Sequence, residues 1–284
     1  MLAGVDDKLA RYLDVVGVRG GDARLVHGQF HDVVLAGEVA YRFPRDEVSR
    51  RALPAAVALL TALAKAHIPV MVPVPISTDH VGCPLGTSHV ALRRVPGQPI
   101  DVISGARAER AVIAQLAGLL DSLAELGADP AIRQSVPRTG PDHWQEFGEQ
   151  VRRVLFPLMS ADGRRRADAE LAAVARVTSA GDALVHTDLG GSNLLWTNAG
   201  GQPQLAGVLD WDGASLGNQA NDLASIAVTV GWPLARRIQA ERRVAASQMA
   251  AAEVIARTFA LQQALPAALN GDQASLEDGL REYS

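Results

Sequence analysis

Cysteine is all but missing from this chain: Cys83 stands alone among 284 residues. One thiol cannot close an intrachain disulfide, so a disulfide framework and a paired-Cys zinc site are both excluded. No apolar run approaches the length of a membrane span. The opening segment Met1-Leu-Ala-Gly-Val-Asp-Asp-Lys8 is acidic where a signal peptide would be basic and then apolar. The expectation is a cytoplasmic protein without a membrane partner. The chain also lacks a G-x-x-x-x-G-K-[ST] phosphate loop and an H-E-x-x-H zinc motif. Ser192, in Gly190-Gly-Ser-Asn-Leu194, has no closing glycine to make a nucleophile elbow, which argues against a hydrolase triad. His67, His80, His89 and His143 show no metal spacing.

A strong charge of either sign is absent too, since the formal net charge is -4. It is unevenly spread. Residues 180–284 hold 11 Asp and Glu against 6 Lys and Arg, a balance of -5 that leaves +1 for residues 1–179. An acidic C-terminal half argues against a nucleic-acid partner and fits a cationic small ligand, although ordinary solubility charge fits equally.

What is present is ample apolar material, 48% of residues, enough for one large domain or two lobes. Asp6 to Val16 has a helical pattern. His31–Ala36 and Val39–Phe43 flank Gly37-Glu38 and read as a β-hairpin, with Ala23–His27 as a third strand. Asp46–Ala66 reads as a helix, and Val70–Val74 and Ser88–Val95 as two further strands, before Pro96-Gly-Gln-Pro99 breaks the pattern. Beyond it, helical patterns cover about 104–127, 142–159, 164–178, 219–231, 234–245 and 247–269. Short strands around Asn193–Trp196 and Gln204–Asp210 interrupt them.

The chemistry-bearing segment is Val185-His-Thr-Asp-Leu-Gly-Gly-Ser-Asn-Leu-Leu195, in which Asp188 and Asn193 stand five apart ahead of an apolar run. Further on, Gly207-Val-Leu-Asp-Trp-Asp212 brings a carboxylate to the end of a strand. An HxD triplet alone is common, but HxDxxxxN followed by a strand-end Asp is much more specific. Phosphoryl transfer asks for this set: a carboxylate to orient the incoming hydroxyl, and hard oxygen ligands for Mg²⁺. Asp188 suits the first task, and Asn193 with Asp210 the second.

These segments, with Asn221-Asp-Leu-Ala224, resemble the aminoglycoside phosphotransferase (choline kinase-like) family over nearly the whole chain. Gly28-Gln-Phe-His31, Trp144-Gln-Glu-Phe147, Leu155-Phe-Pro-Leu-Met159 and Thr258-Phe-Ala-Leu-Gln-Gln-Ala264 look most like members that phosphorylate antibiotics of the viomycin and capreomycin type. The resemblance implies an α+β, protein-kinase-like fold of two lobes. Residues 1–95 would form the small β-rich lobe, and 96–284 the larger helical lobe carrying the catalytic loop. It implies ATP or GTP as phosphate donor, Mg²⁺ as cofactor, and a hydroxyl-bearing, cationic small molecule as acceptor. An aminoglycoside, a small metabolite, or a catalytically silent nucleotide- or antibiotic-binding protein are the alternatives.

By matched position, Asp188 would be the catalytic base, and Asn193 and Asp210 the metal ligands. His186 would brace the loop. Asp222 would anchor it through backbone N–H bonds, or simply cap its own helix. Gln29, Phe30 and His31 would lie over the nucleotide phosphates. Arg42 takes the place of a phosphate-gripping Lys, or else faces solvent from its strand. Arg93 and Val95 would belong to the hinge that meets the purine edge. Asp212 would touch a cationic substrate or second metal, or lie solvated; Trp144 would line the substrate cleft, or pack in the core. Three departures stand out. Ala56 fills the place of the helix Glu that usually holds the phosphate-gripping residue, and Glu47 lies too early to replace it. Asn218 and Gln219 stand where the family favours Asp-Pro, and Thr187 where it favours Gly.

Overall fold

The computed structural model describes residues 2–19, 22–28, 30–100, 105–242 and 244–284, without the side chains of 2–6 and 106. Backbone contacts divide the chain into two compact units. The first comprises Met1–Asp101, Asp129–Val136 and Ser192–Asp212; the second comprises Val102–Ala128, Pro137–Gly191 and Gly213–Ser284.

The first unit opens with helix α1 (Leu2–Val16), followed by β1 (Ala23–His27), β2 (His31–Ala36), β3 (Val39–Pro44), α2 (Glu47–Leu63), β4 (Pro75–Ser77) and β5 (Val90–Arg93). The strands form one antiparallel sheet in the order β1-β2-β3-β5-β4. The Gly37-Glu38 turn joins β2 to β3, as its residues predict, with Gly37 at φ 58°. Phe43, Val34 and Tyr12 make a small core, the Tyr12 and Phe43 rings stacked 4.0 Å apart. Helix α2 starts where Asp46 accepts the Ser49 N–H, and it buries Leu53, Leu59, Leu60 and Leu63 at helical spacing.

Val70–Val74 is not a strand of this sheet. Pro69, Pro73 and Pro75 have no N–H to give a ladder, so only Met71 pairs, with Gly207, and sheet pairing begins at Pro75. After α3 (Ala106–Leu126), which belongs to the second unit, the short helix α4 (Pro130–Ser135) returns to the first.

The second unit contains α3, α5 (His143–Val154), α6 (Ala161–Val174), β6 (Ala183–Val185), β9 (Ser215–Gly217), α7 (Ala220–Val230), α8 (Trp232–Arg242), α9 (Ala246–Ala256), α10 (Phe259–Asn270) and α11 (Gln273–Leu280). Between β6 and β9 in the chain lies the hairpin β7 (Leu194–Ala199) and β8 (Gln202–Val208). Helix α3 buries Val112, Leu116, Leu119 and Leu123, an apolar stripe at three- and four-residue steps. Helix α7 is buried from Asp222 to Ala227, the mark of a central helix rather than a surface one. A second core gathers Val151, Leu155, Leu171, Leu261 and Tyr283.

The expected helix 247–269 is two helices. Thr258 separates them: its hydroxyl donates to the Ile255 carbonyl (2.7 Å) and accepts from Gln262 (2.8 Å), a local alternative to continuing the ladder. No described helix is long and apolar enough to cross a membrane.

Candidate active site

Strand β6 pairs with β9 and brings the chain to His186. The loop beyond it is held by backbone N–H groups. Those of His186 and Thr187 donate to the Asp222 carboxylate at 3.0 and 2.8 Å, and that of Asp188 donates to His186 Nδ1 at 3.3 Å. The Gly191 N–H reaches the Thr229 hydroxyl at 2.7 Å. Asp222 therefore does not cap its own helix; it holds the preceding loop. His186 is wholly buried, and its Nδ1 accepts the hydrogen bond from the Asp188 N–H. At Gly190 the loop lies so close to α7 that a Cβ would come within 2.6 Å of the Ser225 carbonyl oxygen. Thr187 adopts φ 73°, the left-handed region that costs a β-branched residue most. Its hydroxyl donates to the Gly213 carbonyl (3.2 Å).

Asp222 has no exposed surface. Burial pushes its carboxyl up to about 6, against the opposing pull of His186 and the two N–H donors.

Asn193 and Asp210 stand in the first unit, at the mouth of the β7–β8 hairpin. The Leu209 N–H donates to the Asn193 carbonyl (2.9 Å), one step beyond the Leu194–Val208 pair. Asp210 has φ 57°, and with Thr187 it is one of two non-glycine residues with positive φ among those described. Trp211 is buried, and its indole N–H donates to the Val208 carbonyl (3.1 Å), pinning the turn that carries the two flanking carboxylates.

Those carboxylates meet Arg42. Its guanidinium makes a two-bond fork to Asp212, both bonds at 2.6 Å, and a third bond to Asp210 at 3.0 Å. Arg42 does not face solvent; its side chain is 13% exposed. Burial works against its charge, but Asp212 and Asp210 more than offset that and raise its pKa. Glu47, the one acid of helix α2, holds Arg50 (2.6 Å) and Arg51 (3.2 Å) instead. His31 is buried 3.6 Å from Asp212, and neither ring nitrogen has a hydrogen-bond partner among the described residues. Burial, reinforced by Arg42, pushes it down to about 4, so it is neutral at pH 7.

The hairpin turn before it is tight. The Gly28 N–H donates to the His31 carbonyl (2.8 Å), and Arg45 donates to the Gly28 carbonyl (2.6 Å). Phe30 is exposed at its tip, and Gln29 lies outside the described residues. Arg93 ends β5 with an exposed side chain and donates its N–H to Val74 (2.8 Å), while Val95 just beyond is buried.

No group of three His, Cys, Asp or Glu side chains is arranged to hold a metal among the described residues. The smaller set of Asn193 and Asp210 still fits Mg²⁺. Both offer hard oxygens, the Asp210 carboxylate is half exposed, and one guanidinium cannot balance the two carboxylates it meets.

In the second unit a cleft of about 430 Å³ borders the loop after β6 at Thr187; its other walls include Thr139, Trp144, Glu146, Asn221 and Gln262. Trp144 is at once core and lining. It is 3% exposed and packs edge-on against Phe147 and His143, yet its indole N–H is buried without a partner among the described residues. Thr139 belongs to no motif, and Gln262 sits in the Thr258–Ala264 segment with no role assigned to it there; only the fold brings the two to one cleft. A hollow of similar size, about 400 Å³, lies over Val228, Trp232, Arg236 and Arg257, but no catalytic-loop residue lines it.

Residues 24–259 match the phosphotransferase enzyme family. The chain is 39% identical over 280 residues to viomycin phosphotransferase of Streptomyces vinaceus, covering 98% of this chain and 97% of that one. Among solved structures, the GDP complex of aminoglycoside 2'-phosphotransferase-IIIa superposes with a TM-score of 0.80 at 20% identity, over 96% of this chain and 94% of that one. A macrolide 2'-phosphotransferase from Brachybacterium faecium gives 0.70 at 20% identity, over 96% and 97%. These structures share the protein-kinase-like fold, a small antiparallel sheet and a helical part. With the family match spanning most of its length, this chain belongs to the phosphotransferase enzyme (APH) family.

Proposed function

We propose that this chain works in the cytoplasm as an antibiotic kinase. It moves the γ-phosphoryl group of ATP or GTP to a hydroxyl of a cationic cyclic peptide of the viomycin and capreomycin type. The observation that carries the reading is the likeness to viomycin phosphotransferase over almost the full length of both chains, with Asp188, Asn193 and Asp210 in place.

In this reading Asp188 accepts a hydrogen bond from the acceptor hydroxyl and aims its oxygen at the γ-phosphorus. The new O–P bond forms as the bridging P–O bond breaks, the nucleoside diphosphate leaves, and the hydroxyl proton passes to Asp188. Asn193 and Asp210 would hold Mg²⁺, which supplies charge neutralisation at the β and γ oxygens when bound. Arg42 steadies the phosphates, Phe30 and His31 cover them, and Arg93 and Val95 border the base. His186 and Asp222 keep the loop rigid, so that Asp188 spends no orientation entropy at the moment of transfer.

The acceptor sits in the cleft that Thr187 borders, where Trp144 supplies an unmatched N–H and Glu146 a carboxylate for an amine. The lining also holds a guanidinium, Arg138, which pairs with Asp182 (2.9 Å), so selectivity for cations rests on placement rather than on net charge.

The test is drug susceptibility in a host expressing the chain beside its Asp188→Ala variant, against cyclic peptides, aminoglycosides and macrolides. Protection against viomycin and capreomycin that vanishes in the variant is the expected result. Equal protection by both proteins would replace catalysis with sequestration, and protection against another class alone would reassign the acceptor.

A further inference from the structure

The fork between Arg42 and Asp212 answers the question raised by Ala56. A phosphate-gripping cation on a strand needs a carboxylate to fix its rotamer, since a long, charged side chain otherwise spends its freedom on binding. Helix α2 offers none: Ala56 has no acid, and Glu47 is engaged by Arg50 and Arg51. Asp212 supplies one from the opposite direction, along the chain from β8. Two parallel bonds at 2.6 Å fix the plane of the guanidinium as well as its position.

The turn is built for this. Trp211 is anchored through Val208, so Asp210 and Asp212 both reach Arg42. Buried His31 closes a further side of Asp212 without bonding to it, and no other cation pairs with Asp212 among the described residues. Of the five N–H groups of Arg42, three are committed to the two carboxylates, one Nη1–H and the Nε–H being left for an anionic oxygen.

We infer that Asp212 is the positioning residue for Arg42, replacing the helix glutamate that the chain lacks. The phosphate grip is then assembled from β3 and the segment after β8 rather than from β3 and the long helix. An Arg is required for it, because a Lys ammonium cannot form the fork that lets one side chain hold two carboxylates and still face phosphate. This assignment rests on the phosphotransferase reading above. It makes Asp212 part of the nucleotide site and removes it from acceptor recognition.

The test is binding of Mg-ATP and Mg-GTP by calorimetry, with steady-state kinetics for both substrates, in Asp212→Asn, Asp212→Glu, Arg42→Ala and the Arg42→Ala/Asp212→Asn pair. Asn is nearly isosteric with Asp, so folding should survive, and a melting curve checks it. Asp212→Asn should weaken nucleotide binding about tenfold (~1.4 kcal/mol). The KM for nucleotide should rise with it, while the KM for acceptor stays put. Asp212→Glu should recover part of the loss. In the Arg42→Ala background Asp212→Asn should add less than about twofold, the signature of residues acting as a unit. Unchanged nucleotide affinity in Asp212→Asn would overturn the inference. So would an effect of undiminished size without Arg42, or a rise in acceptor KM alone. If the unmutated chain binds neither nucleotide, the phosphotransferase reading fails first.

Discussion

Asp222 takes the backbone N–H of His186 on both carboxylate oxygens, at 3.0 Å each, from a position with no exposed surface. Adding the Thr187 N–H at 2.8 Å, the carboxylate ties the residues just before Asp188 to the first turn of α7. A carboxylate suits the task because it only accepts, and every group facing it here donates. Asp222→Asn turns one oxygen into an NH₂ that meets N–H donors. The variant should stay folded but lose kcat on the order of a hundredfold, with a smaller change in nucleotide affinity, as expected when a reacting group drifts. Loss of nucleotide binding equal to the loss of kcat would contradict a role confined to the catalytic loop.

The same group sets an acid limit. Burial lifts Asp222 from 3.8 to about 6, so it is ionised at pH 7 and gains a proton as pH falls through 6. The kcat profile should bend down there, and the bend should disappear from the residual activity of Asp222→Asn. Stability runs the other way. A carboxyl whose folded pKa is raised favours the folded state most below its unfolded value, and that advantage is lost as pH rises through 6. The span is on the order of 3 kcal/mol. Between pH 4 and 6, urea unfolding should show this group as a falling contribution, absent from the variant. A bend in kcat that tracks unfolding would exclude the loop as its origin.

Much of this was legible in the sequence. The hairpin at Gly37-Glu38, the α2 cap at Asp46 and the HxDxxxxN segment are local patterns, written within a few residues of one another. Partnerships across the chain were not. Arg42 and Asp212 lie 170 residues apart, and no spacing rule joins a strand arginine to an acid two positions past Asp210. Strands β6 and β9, three residues each, are too short to show a period. Thr187 departs from glycine at a position where the backbone takes φ 73°, and a β-branched residue gives no sign of that conformation in the sequence. Asn218 and Gln219 likewise took over support roles from Asp-Pro. Asn218 accepts the Ala220 N–H (3.0 Å), and Gln219 bridges the Leu120 carbonyl (2.6 Å) and Arg242 (2.8 Å).

In the first unit, Asp32 organises the β1–β2 hairpin. It has no exposed surface, and it receives Lys8 (2.6 Å), Tyr12 (2.8 Å) and His27 (2.7 Å). Burial alone would raise its pKa, but the bonds from Lys8, His27 and Tyr12 outweigh it and leave the carboxyl below its usual value. Its stabilisation is therefore present above the unfolded pKa and is lost as pH falls through the depressed folded one. Asp32→Ala should cost about 1–3 kcal/mol in urea unfolding, because it leaves the buried Tyr12 hydroxyl without its acceptor. A loss under about 1 kcal/mol would show that the cluster opens to water without penalty.

Asp210→Ala separates the metal from the rest of the phosphate site. Asp210 shares Arg42 with Asp212, but the fork to Asp212 is the shorter contact, so Arg42 should stay in place without Asp210. Nucleotide affinity in the presence of Mg²⁺ should fall to about the value the unmutated chain shows in EDTA, and added Mg²⁺ should no longer improve it. Calorimetry with and without the cation reads this directly. A variant that still responds to Mg²⁺ would move the metal to other ligands.

Trp144 provides the sharpest separation of stability from recognition. Its indole N–H is buried without a partner among the described residues, on a wall of the cleft that Thr187 borders, an arrangement that costs about 1–3 kcal/mol in the free protein. Trp144→Phe removes that cost. It also gives up part of a ring that packs against Phe147 and His143, a loss of similar size and opposite sign. The two should nearly cancel, leaving unfolding free energy within about 1.5 kcal/mol of the parent. The acceptor loses a donor that only the indole supplies, so its KM should rise about three- to tenfold, while the nucleotide KM holds. If the acceptor KM is unmoved and stability falls by several kcal/mol, Trp144 belongs to the core alone, and the acceptor must take its hydrogen bonds from Thr139, Asn221 and Gln262 instead.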